Sequence, residues 1–231
     1  MVEAVLWDFD DTILDYSSSD QAGIMRHFTA EGLPCDEEAL ARWRSVTDRE
    51  FARFLAGELT FQEQRRERAR AMTGLPLSDA EADAWFARYL VFFEEACTAF
   101  PDVVPVLDAL PHRHAILSNS NTVYQERRLA ALGLRDRFEA LLCAGEIGSA
   151  KPDPAAFLAA CDVLGLKPAQ VAYVGDKLDV DALGARDAGL HGIWLDRSRT
   201  ATTLPDGVHR IAALTELPTL LQALGQEGTS Q

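Results

Sequence analysis

The chain has 231 residues, 48% of them hydrophobic, with 22 Lys plus Arg against 36 Asp plus Glu and a net charge of −14. That length and apolar content can bury a sizeable core, as one large domain or a domain with an insertion. The negative field repels nucleic acid polymers and anionic membrane surfaces, but a small phosphorylated metabolite stays open, because a few local cations or a metal override the global field at short range.

The first element is a short strand in VEAVLWDFDDTILD, where the apolar run Ala4–Trp7 delivers Asp8, Asp10, Asp11 and Thr12 to one point. Such a run, bounded by polar residues, fits an interior strand of a parallel sheet. Strand alternation puts Asp8 and Asp10 on one face and Phe9 on the other. Two carboxylates that close repel each other unless a cation lies between them or they hold separate protonation states. The same pattern also fits a polar strand end, and a lone D-x-D occurs where glycosyltransferases hold a metal and a nucleotide sugar.

From about residue 18 to 97 the apolar residues recur at helical spacing, as in Ala39, Leu40, Trp43, Val46 and in Trp85, Phe86, Tyr89, Leu90, Phe93. Breaks rich in Gly, Pro and capping residues at 32–34, 57–60 and 74–78 divide the segment into about four helices. Ser78 and Glu81 have capping-box spacing at the start of the aromatic helix. Arg65, Arg66, Arg68 and Arg70 read as a solvated helix face, with Glu63 pairing to Arg66, or as a source of one anion-recognising residue. The aromatic stripe reads as helical core.

After Pro101 strands and helices alternate. Strands are expected at 115–117, 140–144, 171–174, 193–195 and 211–214, and helices at 122–132, 154–164, 181–188 and 219–224, most of them closed by Gly. The pattern predicts an α/β fold, a doubly wound, Rossmann-like parallel sheet with an inserted helical domain: a core of 1–15 and 98–231, and an insertion of 16–97. Ligands of such sheets bind beyond the carboxyl ends of the strands, where Asp8, Ser118 with Asn119, and Asp176 stand, with Lys151 on a further loop. A carboxylate nucleophile, a hydroxyl, an ammonium and a distal acid are the parts of phosphoryl transfer through an acyl phosphate. Taken singly, Ser118 and Asn119 also fit as caps of the next helix, Lys151 as a loop residue, and Asp179 and Asp181 as charges at a helix N-terminus.

Cys35, Cys97, Cys143 and Cys161 are far apart, with no C-x-x-C pair, and read as reduced, buried small hydrophobes. No signal-peptide pattern or membrane-length apolar run occurs, so a cytoplasmic location is expected, as a monomer or homodimer. Residues 225–231 read as a fraying polar end. His112 and His114 receive no role.

Four ordered motifs resemble the haloacid dehalogenase superfamily, in the subfamily with a helical cap between its first two motifs. They are DFDDT at Asp8 to Thr12, LSN at Leu117 to Asn119, KPDPAAF at Lys151 to Phe157 and VGDKLDVDALGARDAG at Val174 to Gly189. The resemblance implies a phosphomonoester hydrolase of a small phosphorylated metabolite that works through an aspartyl phosphate. Asp8 matches the nucleophile and Asp10 the general acid and base. Asp8, the carbonyl of Asp10 and Asp176 match the ligands of Mg2+. Ser118, Asn119 and Lys151 match the phosphate-holding groups, with Asp8 at the reacting centre. Thr12 and Asp181 are supporting residues, Asp181 orienting Lys151 or metal-bound water. Asp11 stands where relatives often have Gly, and Lys177 replaces the family's usual small hydroxyl residue. Dehalogenases of this fold lack the acid at the position of Asp10, and no lysine precedes Lys151 to serve as a phosphonatase Schiff base. A phosphomutase or dehalogenase on the same fold, and a receiver-like signalling module with a phosphorylated Asp, are the alternatives. The natural substrate, whether nucleotide, flavin mononucleotide, sugar phosphate or phosphoglycolate, is not legible.

Overall fold

In the computed structural model, which describes residues 1–199 and 203–227, six parallel strands form one sheet in the order β3-β2-β1-β4-β5-β6. They are β1 (Ala4–Trp7), β2 (Arg113–Ser118), β3 (Ala140–Cys143), β4 (Val171–Gly175), β5 (His191–Leu195) and β6 (Val208–Ile211). The helices are α1 (Tyr16–Glu31), α2 (Glu37–Leu55), α3 (Phe61–Thr73), α4 (Asp79–Ala96), α5 (Val103–Ala109), α6 (Thr122–Ala131), α7 (Ala144–Ile147), α8 (Pro154–Leu164), α9 (Leu183–Asp187) and α10 (Leu217–Glu227). Every position of β1 is buried, as an interior parallel strand requires when crossover helices cover both faces. Leu6 is in register with Ala115 of β2 and Tyr173 of β4, so β1 is the strand from which the sheet grows in both directions.

The chain divides into two compact units, Met1–Asp15 with Ala99–Gln231, and Tyr16–Thr98. In the first, α8 lays Ala156, Phe157, Ala160, Cys161 and Leu164 against Leu6, Leu117 and Tyr173. That is one helical stripe packed on one face of the sheet. Its start is set by Asp153, whose side chain accepts from Ala155 N, with Pro154 in the first turn.

The second unit is four helices, α1 to α4. Thr60 with Glu63 and Ser78 with Glu81 both form capping boxes, which fix where α3 and α4 begin. Trp85, Phe86, Tyr89 and Phe93 are buried in its core beside Phe28 and Trp43. Asp20 is buried among them and accepts from Trp43 Nε1 at 2.8 Å and Tyr89 Oη at 2.5 Å. Helices α1 and α4 approach closely at Gly23, where a Cβ would lie 2.7 Å from the Phe93 Cα.

Several expectations are corrected. The last strand is Val208–Ile211, and Leu214 opens a helical turn instead of ending a strand. A helix the periodicity did not predict, α5, follows Pro101. Arg65 and Arg68 are not solvated: they are buried, with their guanidinium groups over Phe61 and Phe86, and over Trp43 and Phe86. Ring faces attract the cation and the alkyl stems fill core, which favours burial of both side chains. Arg66 pairs with Asp79 and Asp83, while Glu63 is engaged in its capping box. Cys143 and Cys161 are buried, but Cys35 is exposed and Cys97 intermediate; all four are free thiols. Of the expected polar end, Gly225 to Glu227 continue α10 and residues 228–231 lie outside the described residues. Among the described residues no helix is long and apolar enough to cross a membrane.

Candidate active site

The carboxyl end of β1 continues into a tight loop. Asp8 N donates to Val174 O, tying the loop to β4, and Ile13 N and Leu14 N both donate to Phe9 O at 2.9 Å. Asp11 takes the left-handed conformation, with φ of 61°. That is a conformation glycine adopts freely and Asp tolerates, which explains the loop position Asp11 holds. The Thr12 Oγ1 is buried without a hydrogen-bond partner among the described residues, so its hydroxyl does not brace the loop; its carbonyl instead accepts from Arg197.

Beyond the adjacent strands, Lys151 Nζ donates to Asp8 Oδ1 at 2.7 Å, Asp181 Oδ1 at 2.7 Å and Tyr173 Oη at 2.6 Å. An ammonium has three hydrogens, and all three are satisfied inside the protein. Burial opposes the lysine's charge, but Asp181 and Asp8 outweigh it and hold the ammonium above its ordinary range. The lysine is placed by Asn119 at the end of β2, whose side chain accepts from Lys151 N and donates to Lys151 O, both at 2.8 Å. That side chain braces the Lys151 loop through both of its polar atoms. Neither Ser118 nor Asn119 caps α6; the side chain of Asn121 does.

The acids carry the electrostatic signature of the site. Burial pushes Asp8 up to about 7, with Asp181 and Asp10 adding to the push and Lys151 opposing it. Burial pushes Asp176 up to about 8, helped by Asp8 and Asp181. Oxygens of Asp8, Asp176 and Asp181 lie within 4.8 Å of one another. Three such carboxylates in so small a volume repel one another, and the Lys151 ammonium is hydrogen-bonded to two of them. Asp181 is anchored on both sides, since its Oδ2 accepts from Lys177 N at 3.0 Å. The Asp176 carbonyl accepts from Trp194 Nε1 at 2.9 Å, which fixes that loop to β5. Lys177 is exposed, and Asp176, Asp8 and Asp181 sustain its charge against desolvation.

Gly175 is required by the same cluster: a Cβ there would lie 2.4 Å from Asp181 Cγ. Gly175→Ala is therefore expected to displace Asp181 and to destabilise the protein by about 1–3 kcal/mol, the usual cost of overpacking. Thermal unfolding checks this, and an unchanged melting temperature would contradict the close approach.

Asp10 lies apart from the lysine cluster. Its Oδ2 accepts from Gln125 Nε2 at 2.8 Å, and Arg128 Nη1 stands 3.5 Å from its Oδ1. Gln125 also donates to Ser118 Oγ at 3.1 Å. Gln125, Arg128 and Tyr173 went unassigned in the sequence. Tyr173 sits in an otherwise apolar strand run, and the only signal for the other pair is their three-residue spacing on one face of α6.

Comparisons with known proteins agree with this architecture. The hydrolase family described as haloacid dehalogenase-like hydrolase matches residues 2–189. The chain is 30% identical over 242 residues to the ribulose-1,5-bisphosphate 5-phosphatase of Halopiger xanaduensis, covering 96% of this chain and 100% of that one. The structure of the HAD-hydrolase YfnB from Bacillus subtilis bound to magnesium superposes with a TM-score of 0.84 at 22% identity, covering 96% of this chain and 99% of that one. A 2-haloacid dehalogenase from Pseudomonas syringae superposes with a TM-score of 0.71 at 27% identity, with the same coverage.

Proposed function

The chain belongs to the haloacid dehalogenase-like hydrolases, and within that family we propose that it is a magnesium-dependent phosphatase of a small phosphorylated metabolite. The observation that carries the reading is the placement of a buried Asp8–Lys151–Asp181 cluster and a separate acid, Asp10, beyond the ends of β1, β3 and β4. Dehalogenation on this fold has no use for that second acid. The ribulose bisphosphate phosphatase similar to this chain supports the same reaction class. In this reading residues 16–98 form a cap, and the enzyme works in the cytoplasm, in keeping with four free thiols.

The residues fit a magnesium ion, a hard cation that takes oxygen ligands. Asp8 and Asp176, both pushed up by burial and mutual repulsion, would hold it with the carbonyl of Asp10. Asp181, whose two oxygens accept from Lys151 and from Lys177 N, would act on it from a distance. When bound, the ion neutralises charge on the phosphate and on Asp8.

The protein's own groups account for the steps. An Asp8 oxygen attacks phosphorus and forms an aspartyl phosphate while the bond to the leaving oxygen breaks. Asp10 gives that oxygen its proton, then takes a proton from the water that attacks the phosphorus of the aspartyl phosphate, releasing inorganic phosphate and restoring Asp8. Lys151, whose three hydrogens are held by Asp8, Tyr173 and Asp181, neutralises the transferring group by its charge, and Ser118 orients it through its hydroxyl, the main task in phosphoryl transfer.

Phosphate release from p-nitrophenyl phosphate tests this. Chelation is expected to lower the rate on the order of 10²-fold or more, with magnesium restoring it. Undiminished release in a chelator contradicts the metal requirement. Halide release from a 2-haloacid in place of phosphate release would replace the proposed reaction.

A further inference from the structure

Gln125 is fully buried on α6, and its side-chain amide has only one orientation compatible with its neighbours. Two oxygen acceptors, Asp10 Oδ2 at 2.8 Å and Ser118 Oγ at 3.1 Å, lie on the Nε2 side. On the other side Arg128 Nη1 donates to Oε1 at 3.2 Å. Turning the amide over would press its carbonyl against a carboxylate and its NH2 against a guanidinium. Arg128, one turn along the same face of α6 and buried with it, thus locks Gln125 in place.

The lock has a consequence at each acceptor. Ser118 Oγ accepts from both Gln125 Nε2 and Ser120 N, the latter at 3.2 Å, and its own hydrogen has no acceptor among the described residues. With its lone pairs engaged, that hydroxyl must donate outward. Asp10 is held by one oxygen on a neutral amide, with the guanidinium at a longer distance from the other. Its side chain is 29% exposed, so this tether fixes a carboxylate that would otherwise sample several rotamers.

We infer that Gln125, locked by Arg128, is a positioning residue that sets the Asp10 carboxylate and the Ser118 hydroxyl as one unit. The inference rests on the phosphatase reading and deepens it: proton delivery to the leaving oxygen and the grip on the phosphoryl group share a single amide. A misplaced Asp10 hurts most when the leaving oxygen is basic and needs a proton, and least when it departs readily as an anion.

The test compares kcat/KM, which reports the phosphorylation step and not the later hydrolysis of the aspartyl phosphate, over a series of aryl phosphates, from p-nitrophenyl to phenyl, and one alkyl phosphate. Gln125→Leu is expected to lower kcat/KM about 10²-fold for the phenyl and alkyl phosphates, and far less for p-nitrophenyl phosphate, steepening the dependence on leaving-group basicity. Gln125→Glu keeps the shape and the bond to Arg128 but opposes a second carboxylate to Asp10. It should steepen the dependence as well, and it serves if the leucine variant does not fold. Arg128→Met is expected to steepen it, and Arg128→Lys, which keeps the cation, to return it toward the wild type. A purely structural role lowers all substrates in parallel. A parallel loss, or a wild-type dependence in both Gln125 variants, overturns the inference while the phosphatase reading stands. A wild type that hydrolyses none of the esters overturns both.

Discussion

Asp8→Asn is expected to fold, to be at least as stable as the wild type in the absence of metal at neutral pH, and to release phosphate on the order of 10⁴-fold more slowly or worse. An amide cannot form the acyl phosphate, so the remaining groups have no covalent path to support. Stability moves the other way for an electrostatic reason. Burial raises Asp8 from 3.8 to about 7, so the folded protein binds this proton more tightly than the unfolded chain does. As pH rises through that interval the wild type loses stability that the asparagine variant keeps. Asparagine also retains an oxygen to accept from Lys151, which still has Asp181 and Tyr173. Melting curves in a chelator between pH 4 and 8, beside turnover of p-nitrophenyl phosphate, check both halves. Turnover near the wild-type rate would remove Asp8 from the role of nucleophile.

What the sequence disclosed follows the range of the interactions involved. Strand β1, the Gly-closed helices and the Ser78–Glu81 capping box depend on neighbours within a few residues, and local spacing is enough to read them. Convergence of Asp8, Ser118, Lys151 and Asp176 was legible because a parallel sheet brings the carboxyl ends of its strands to one edge. Contacts between side chains remote in sequence were not. Lys151 and Asp8 are 143 residues apart, and Gln125 and Asp10 are 115 apart, so nothing local marks the partners. Tyr173 read as strand core because its ring does pack against Phe157, and only its hydroxyl reaches Lys151. Strand β6 lies a few residues before the expected 211–214 for a similar reason. It is an edge strand whose His209 and Arg210 are partly exposed, so the more apolar segment that follows it carried the stronger strand signal. Inward rotation of Arg65 and Arg68 depends on Phe86 and Trp43, aromatic faces supplied by other helices, as well as on Phe61 of α3, and periodicity within α3 does not record the former.

Asp10→Asn separates the two halves of the proposed cycle. Its backbone carbonyl is unchanged, and an asparagine oxygen can still accept from Gln125, so folding and magnesium affinity are expected to match the wild type. Turnover is expected to fall about 10²- to 10⁴-fold, the range for loss of a general acid and base. The distribution of that loss is the more telling result. With p-nitrophenyl phosphate the departing phenolate needs little help from an acid, so Asp8 should still be phosphorylated. Hydrolysis of the aspartyl phosphate, however, needs the water to lose a proton, and the variant has no base at that position. The phosphoenzyme should therefore accumulate, visible as a burst of p-nitrophenol close to one equivalent per site and as acid-stable label retained on the protein. With an alkyl phosphate the first step fails too, and no burst should form. A variant that turns over normally, or that shows no burst with the aryl ester, would mean that the proton moves through another group.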